Sequence, residues 1–143
     1  VYKRQIKERA RIAPDSYGTY AYAANPLIAE GRYEEALEWA EKERLDGFKQ
    51  TSLAIIHWHL GNREKSDAAL AALLAQQSGG WDWQVVQVHA VRGEIDKAFA
   101  AMDAAYENRD SGLQLILGDM HVANLRDDPR YDAMVRKIGI PVD

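Results

Sequence analysis

Residues 90–102 read AVRGEIDKAFAAM, which combines the end of one helical pattern, a glycine and the start of a second helical pattern. The same arrangement occurs twice earlier, as AEGRYEEAL at residues 29–37 and as HLGNREKSD at residues 59–67. The three glycines, Gly31, Gly61 and Gly93, are 30 and then 32 residues apart. Self-similarity at this period is typical of stacked helical repeats, so the sequence predicts helical hairpins with a glycine at each corner.

The composition narrows the classes of function. The chain has 143 residues, 47% of them hydrophobic, and a formal net charge of -4. An acidic chain lacks the positive surface that neutralises phosphates, so nucleic acid is not an expected partner. No apolar run approaches the roughly 20 residues of a membrane span, and we expect no membrane contact in this segment. The absence of cysteine excludes disulfides and thiolate metal sites but does not fix the compartment, for which we favour the cytoplasm.

The first five residues, VYKRQ, resemble a translation of the transposon-end adapter used in shotgun sequencing libraries. We interpret residues 1–5 as a sequencing or cloning artefact and leave them out of the fold prediction. The chain begins with Val1, and we expect it to be a fragment of a longer protein.

Helical periodicity and turn residues predict the order of the elements. Residues 6–14 carry the end of a helix stopped by Pro14, and Asp15 or Ser16 is predicted to cap the next helix, which runs to Gly31. Pro26 lies inside that helix and predicts a kink or a short break near Asn25. The helices that follow are predicted at Tyr33–Arg44, Phe48–Leu60, Arg63–Gln76, Trp81–Arg92 and Ile95–Asn108.

The C-terminal residues 111–143 predict a helical cap. A short helix at Leu113–Leu117 is followed by a loop through Gly118 and Asp119. Asp128 is predicted to cap a final helix with Pro129 in its first turn. The residues predicted to be buried by this helix, before its end at Gly139, are Tyr131, Met134, Val135 and Ile138.

Small residues at fixed distances from each glycine resemble the tetratricopeptide repeat (TPR) family. That family places one small residue seven positions before the glycine and another five positions after it, where two helices cross closely. The corresponding pairs here are Ala24 and Ala36, Ala54 and Ser66, and Val86 and Ala98. The aromatic residue expected two positions after the glycine is present only as Tyr33.

The resemblance implies an all-α fold, in which antiparallel helix hairpins stack as a short right-handed TPR-like solenoid with a C-terminal helical cap. Its repeats would cover residues 6–110, as a partial repeat at 6–14 and three repeats at about 15–46, 47–78 and 79–110. The C-terminal part, through LRDDPRY at residues 125–131, is similar to the ends of TPR regions in bacterial multidomain regulatory proteins that carry a nucleotide cyclase, a winged-helix regulator or a protein kinase.

That family binds extended peptides in a groove lined by the first helix of each hairpin. The resemblance implies a partner that is a protein, a peptide or another domain of the same chain. We expect no cofactor and no metal. By position, the groove residues would be Tyr22, Asn25, Thr51, Ser52, Ile55, Trp58, His59, Trp83, Gln84 and Gln87.

Two interpretations of these positions stay open. Trp58 and Trp83 either contact a ligand or pack against neighbouring helices and the C-terminal cap. A clamp for a carboxylate is disfavoured because these positions carry no lysine or arginine, so a groove ligand is expected to be neutral or apolar. The second functional hypothesis is a structural spacer or a weakly self-associating segment without a peptide ligand.

The remaining polar residues give no catalytic candidates. His57 and His59 are two residues apart and lie on nearly opposite helix faces, so they cannot chelate one ion. His57 and His89 each lie four residues before a corner glycine, where packing is the favoured role over metal binding or pH sensing. The sequence has no phosphate-binding glycine loop and no nucleophile turn, so we predict that the segment is not an enzyme.

Overall fold

The computed structural model describes residues 4, 5, 8, 11–13, 16, 18–76 and 79–141. Regular structure in this part of the chain is entirely helical, which confirms the predicted all-α class. Two 3-10 helices, η1 (Ser111–Leu115) and η2 (Met120–Leu125), precede the last α-helix. The α-helices are α1 (Thr19–Ala29), α2 (Tyr33–Ala40), α3 (Asp46–His59), α4 (Arg63–Leu74), α5 (Asp82–Val91), α6 (Ile95–Glu107) and α7 (Pro129–Lys137).

The chain divides into two compact units, Val1–Ala75 and Gln76–Asp143. In the first unit α1 pairs with α2 and α3 pairs with α4, and α3 also contacts both helices of the preceding hairpin. In the second unit α5 pairs with α6, η1 contacts both of these helices, and η2 packs on α5. Side chains of α7 join the same core as α5 and α6. None of the helices described is long and apolar enough to cross a membrane.

Each hairpin turns at its glycine. Gly31, Gly61 and Gly93 have φ values of 72°, 75° and 72°, in the left-handed region that glycine adopts at little cost. In every corner the residue after the glycine donates its N–H to the carbonyl five residues earlier: Arg32 to Leu27 at 2.8 Å, Asn62 to His57 at 2.8 Å and Glu94 to His89 at 2.9 Å. This Schellman pattern confirms the predicted glycine corners.

The residues predicted at the helix crossings, five of them small and one a valine, are all fully buried. They are Ala24, Ala36, Ala54, Ser66, Val86 and Ala98. Ser66 is the polar member of the set, and its hydroxyl donates to the carbonyl of Ala54 at 2.7 Å. A buried hydroxyl without such a partner would cost about 1–3 kcal/mol, so this hydrogen bond explains how serine is tolerated at the crossing.

The start of α1 is capped by a distant carboxylate. Glu43 is only 5% exposed, and its Oε2 accepts the backbone N–H groups of Tyr20 and Ala21, each at 3.1 Å. Its Oε1 accepts the N–H of Leu45 at 3.1 Å. The Ser16 hydroxyl instead donates to the carbonyl of Ala13, so the prediction of Ser16 as the cap is wrong.

Two helices differ from the sequence prediction, α2 in its end and α1 in its continuity. Helix α2 ends at Ala40 rather than at Arg44, because the chain leaves the helix where Glu43 turns toward α1. Helix α1 itself is continuous from Thr19 to Ala29 through Pro26. Of the kink or short break predicted near Asn25, the break is therefore wrong, because the proline removes one donor without interrupting the helix.

Parts of the N-terminal predictions cannot be compared with the structure. Residues 1–3 of the segment interpreted as an artefact lie outside the described residues, as do Asp15 and residues 6, 7, 9, 10 and 14 of the partial repeat.

Three aspartates nine residues apart begin the three C-terminal helices. Asp110, Asp119 and Asp128 are the N-cap residues of η1, η2 and α7, and each accepts the N–H of the residue two positions later, at 2.8, 2.9 and 3.0 Å. The predicted cap at Asp128 with Pro129 after it is confirmed. The segment predicted as a loop after Leu117 contains η2, which sequence periodicity does not reveal because a 3-10 helix has a different repeat.

The final helix packs as predicted. Tyr131, Met134 and Val135 are buried in the core of the second unit, and Ile138 packs against it. The Tyr131 hydroxyl donates to the carbonyl of Ile116 at 2.8 Å, which ties α7 to the segment after η1. Gly139 follows the helix with a φ of 79°, in the predicted C-terminal position.

Replacing Gly93 by alanine should destabilise the second unit. A Cβ at Gly93 meets no atom within 4 Å, so the expected loss of about 1–2 kcal/mol comes from the left-handed backbone alone. Gly118→Ala is the matched control, because a Cβ there also meets open space and its φ is not in the left-handed region. Urea denaturation measures both variants, and equal stabilities would contradict the assigned corner geometry.

Acid should weaken the start of α7. The Arg130 side chain holds the pKa of Asp128 at about 2, below the ordinary 3.8. A lowered carboxyl pKa means that this stabilisation is present above about pH 4 and is lost as the pH falls toward 2. Carbon-detected NMR titration of Asp128 measures the pKa directly. We expect Arg130→Gln to return it toward 3.8, and an unchanged pKa would rule out the pairing.

Candidate functional site

The candidate ligand surface of the first unit begins on α1. Tyr22 and Asn25 project from this helix at positions that the TPR resemblance assigns to the groove. Tyr22 is 44% exposed, and its ring lies 5.8 Å from the ring of Phe48 at the start of α3. Asn25 is half-buried. An exposed phenol beside an amide provides both apolar area and hydrogen-bonding groups.

The groove positions on α3 divide into buried and accessible residues. Thr51, Ser52 and Ile55 are buried, and the Thr51 hydroxyl donates to the carbonyl of Gly47 at 2.7 Å. Trp58 is half-buried and His59 is exposed. The helix therefore uses its first three groove positions for packing, leaves Trp58 partly accessible and exposes His59.

Two ring contacts orient the accessible end of α3. The guanidinium of Arg63 lies 3.6 Å from the centre of the Trp58 ring system, within the range of a cation–π interaction. The His59 ring is stacked on Tyr33, with centroids 4.7 Å apart and planes inclined by 4°. Partial burial of the ring lowers the pKa of His59, so the imidazole is neutral near pH 7.

Neither of these partners was assigned to the groove from the sequence. Tyr33 was noted only as the repeat aromatic, and Arg63 only as the start of a helix. Both residues stand just after a corner glycine, and this position could have identified them. It brings the start of the second helix of a hairpin next to the end of a first helix.

The groove positions of the second unit are occupied by the chain itself. Trp83 is fully buried, its indole Nε1 donates to Asp119 Oδ2 at 3.0 Å, and its backbone N–H donates to Asp110 Oδ2 at 3.0 Å. The Gln87 amide donates to the same oxygen of Asp119 at 2.6 Å. Gln84 is buried. Of the two interpretations of Trp83, the structure therefore supports the one in which this side chain packs against the C-terminal segment.

The C-terminal segment approaches Trp83 too closely for a side chain. A Cβ at Gly112 would lie 2.6 Å from the Cβ of Trp83, so only glycine fits at this point. Further along, the Asn124 side chain donates to the carbonyl of Ala90 at 2.7 Å. The segment thus covers the Trp83 face of α5 by apolar packing and by hydrogen bonds at both ends.

Aspartates 110 and 119 were missed as organising residues in the sequence. Asp119 was placed in a loop, whereas its carboxylate joins η2 to two side chains of α5. The signal that identifies it is the nine-residue spacing of Asp110, Asp119 and Asp128, each placed where a helix begins. Aspartate has a short side chain that accepts hydrogen bonds, and residues of this kind are preferred at helix N-caps.

The two histidines that precede corner glycines have different surroundings. His89 Nδ1 lies 3.3 Å from Glu94 Oε1, and the same carboxylate forms ion pairs with Arg92 and Lys97. His57 is also buried, but its Nδ1 has no hydrogen-bond partner among the described residues. Burial and the nearby charge of Lys65 lower the pKa of His57, while Glu41 acts in the opposite direction.

The other acidic residues provide no additional site. Glu34, Glu35, Glu38 and Glu41 are all exposed on one side of the first unit, as predicted for a solvated helix face. No group of three or more histidine, aspartate or glutamate side chains within the described ranges could hold a metal ion.

Comparison with known proteins gives no relative. Searches with protein-family models, with curated protein sequences and with solved structures found no match to this chain.

Removing the Asp119 carboxylate should destabilise the second unit strongly. Asp119→Ala leaves the indole N–H of Trp83 and the Gln87 amide without their acceptor and removes the cap of η2. The expected loss is about 2–4 kcal/mol, combining a buried donor left unsatisfied with a lost cap. The neighbouring exposed Asp127→Ala should change stability by less than about 0.5 kcal/mol. Similar thermal unfolding of both variants would contradict the role of Asp119.

Proposed function

We propose that this chain is a noncatalytic protein-interaction or scaffolding module of the TPR type, acting as the C-terminal part of a larger bacterial regulatory protein. The observation that supports it most is the accessibility of Tyr22, Trp58 and His59 in the first unit. These aromatic residues stand at groove positions, and aromatic side chains provide much of the energy of protein interfaces.

The repeated hairpin geometry supports the TPR assignment. All three hairpins have a left-handed glycine corner and fully buried small residues at the helix crossing. Within the first unit, α3 packs against both helices of the preceding hairpin, which is the kind of neighbour contact that stacked repeats use.

The chemistry of the accessible residues favours a neutral extended peptide. Tyr22 and Trp58 offer ring surface, while neutral His59 offers ring nitrogens that pair with backbone N–H and carbonyl groups. The second unit offers no equivalent surface on α5, because Trp83 and Gln87 are engaged by Asp119. The proposed peptide therefore binds to the first unit.

Selection from a random peptide phage library on the immobilised chain tests this proposal. We expect enrichment of neutral sequences with apolar residues, and a loss of binding of at least about tenfold in the double variant Tyr22→Ala/Trp58→Ala, since each aromatic anchor is worth more than about 1 kcal/mol. The matched control is Trp39→Ala, which removes another half-buried tryptophan of the first unit, one stacked on Tyr20 outside the groove positions.

Circular dichroism and thermal unfolding show whether each variant is folded. Peptides that bind the folded double variant as tightly as the original chain would contradict the groove, and failure to enrich any peptide would contradict the peptide-binding function.

Self-association is the second candidate function, and a separate observation favours it. Leu115, Leu117 and Met120 are exposed within six residues of the second unit. Exposed apolar side chains grouped in this way favour protein contacts. Sedimentation velocity of the chain and of the double variant Leu115→Ser/Leu117→Ser tests this candidate function. Self-association predicts a concentration-dependent dimer that the variant loses. A monomer at every concentration would exclude self-association.

A further inference from the structure

The last turn of α3 contains a buried imidazole that lacks a hydrogen-bond partner at one nitrogen. His57 is 9% exposed, and its Nδ1 is closed to solvent and has no partner among the described residues. A neutral imidazole carries a proton on one nitrogen, whereas the imidazolium carries one on each. Whichever nitrogen is protonated in the neutral ring, the cation therefore places an N–H without an acceptor at the buried Nδ1. Burying such a charged donor is costly, so this packing favours the neutral ring.

The equivalent histidine of the third hairpin has an acceptor. His89 lies four residues before its corner glycine, as His57 does, and its Nδ1 is 3.3 Å from Glu94 Oε1. The imidazolium of His89 can therefore donate its Nδ1 proton to a carboxylate. Asn62 stands where the third hairpin has Glu94. The two corners share a backbone geometry and differ in the carboxylate.

The charged groups around His57 do not replace this missing acceptor. Burial is the largest cause that lowers the pKa of His57 from the ordinary 6.5, and the charge of Lys65 on α4 lowers it further. Glu41, the C-cap residue of α2, acts in the opposite direction. On α3 itself the titratable neighbour is His59, which is exposed, lies on another face of the helix and stacks on Tyr33 of α2.

His57 also belongs to the turn that closes the corner. Its carbonyl accepts the N–H of Asn62 at 2.8 Å, and the carbonyl of Trp58 accepts the N–H of Gly61 at 3.1 Å. The imidazolium gains hydration only if the ring leaves its buried position. Because the ring is attached to this turn, we expect its movement toward water to break the hydrogen bonds that end α3.

We propose that the corner of the second hairpin is an acid-sensitive switch, in which protonation of His57 opens the last turn of α3. The folded corner binds the proton less readily than the opened one, so its stability is complete above about pH 6.5 and falls as the pH decreases below that value. Trp58 and His59 lie in the same turn, so opening also displaces two positions of the proposed groove. That consequence rests on the proposed function, whereas the opening itself does not.

Amide hydrogen exchange of the complete chain without peptide tests the switch. The protection of the Asn62 amide, corrected for intrinsic exchange, should fall between about pH 7.5 and pH 5.5, by at most about tenfold per pH unit for one proton. The Glu94 amide, which donates to the carbonyl of His89 in the same way, is the control within the chain. We expect it to lose clearly less protection over this range, because the imidazolium of His89 has an acceptor.

Variants at two positions assign the effect to the imidazole. His57→Gln cannot be protonated in this range and should keep the protection of the Asn62 amide constant, whereas His59→Gln should retain the loss. If His57→Gln does not fold, substitutions of Asn62 replace it. Asn62→Glu supplies the carboxylate that the third hairpin has, and should reduce the loss of protection at position 62. Asn62→Gln has the same length without the charge and should lose protection like the original chain.

The results that overturn the switch are specific. They are equal protection of the Asn62 amide at both ends of the pH range, an undiminished loss in folded His57→Gln, or the same loss in Asn62→Glu as in Asn62→Gln. None of these results depends on a peptide ligand. Peptide binding that does not change with pH, together with a pH-dependent corner, would leave the switch intact and contradict only its coupling to the groove.

Discussion

A glycine in the left-handed conformation determines where each hairpin turns. At Gly31, Gly61 and Gly93 the positive φ lets the next residue donate its N–H back to the first helix, which ends that helix just before the second begins. The residues at the crossings that result are small at five of the six positions, with Val86 at the sixth. The full burial of residues such as Ala24 and Ala98 therefore follows from the same constraint.

Carboxylates then join the end of one element to the start of another. Glu43, just after α2, caps the first turn of α1, and Asp110, after α6, accepts the backbone N–H of Trp83 at the start of α5. The two hairpins thus close in the same way with different acidic residues. Asp119 extends the arrangement to the Trp83 indole, and this added contact makes the Trp83 face of α5 part of a core rather than a ligand surface.

The features predicted correctly from the sequence were those that repeat or that follow local rules. The glycine corners, the small crossing residues and the Asp128–Pro129 helix start each depend on residues close in sequence. The two features that differ from the prediction have different causes: the early end of α2 depends on a contact between residues far apart in sequence, whereas η2 lacks the α-helical period on which the prediction relies. Helix α2 ends early because Glu43 reaches α1, and η2 forms where periodicity indicated a loop.

The candidate site was predictable to a similar degree. Repeat positions identified Tyr22, Trp58 and His59, which are accessible, but they also identified Thr51, Ser52 and Ile55, which are buried. Position within a repeat specifies the side of a helix on which a residue lies, and it does not specify what covers that side. The segment that covers Trp83 has no counterpart in the repeats, so its effect could not be read from their spacing.

In this structure Tyr22 is exposed and Trp58 half-buried at groove positions of the first unit, whereas Trp83, the groove tryptophan of the second unit, is enclosed. Solvent paramagnetic relaxation with a soluble gadolinium chelate measures this directly from the tryptophan indole resonances. Because Trp58 is half-buried and Trp83 is fully buried, the structure predicts clearly stronger relaxation of the Trp58 indole than of the Trp83 indole. Equal relaxation of the two indoles would contradict the account.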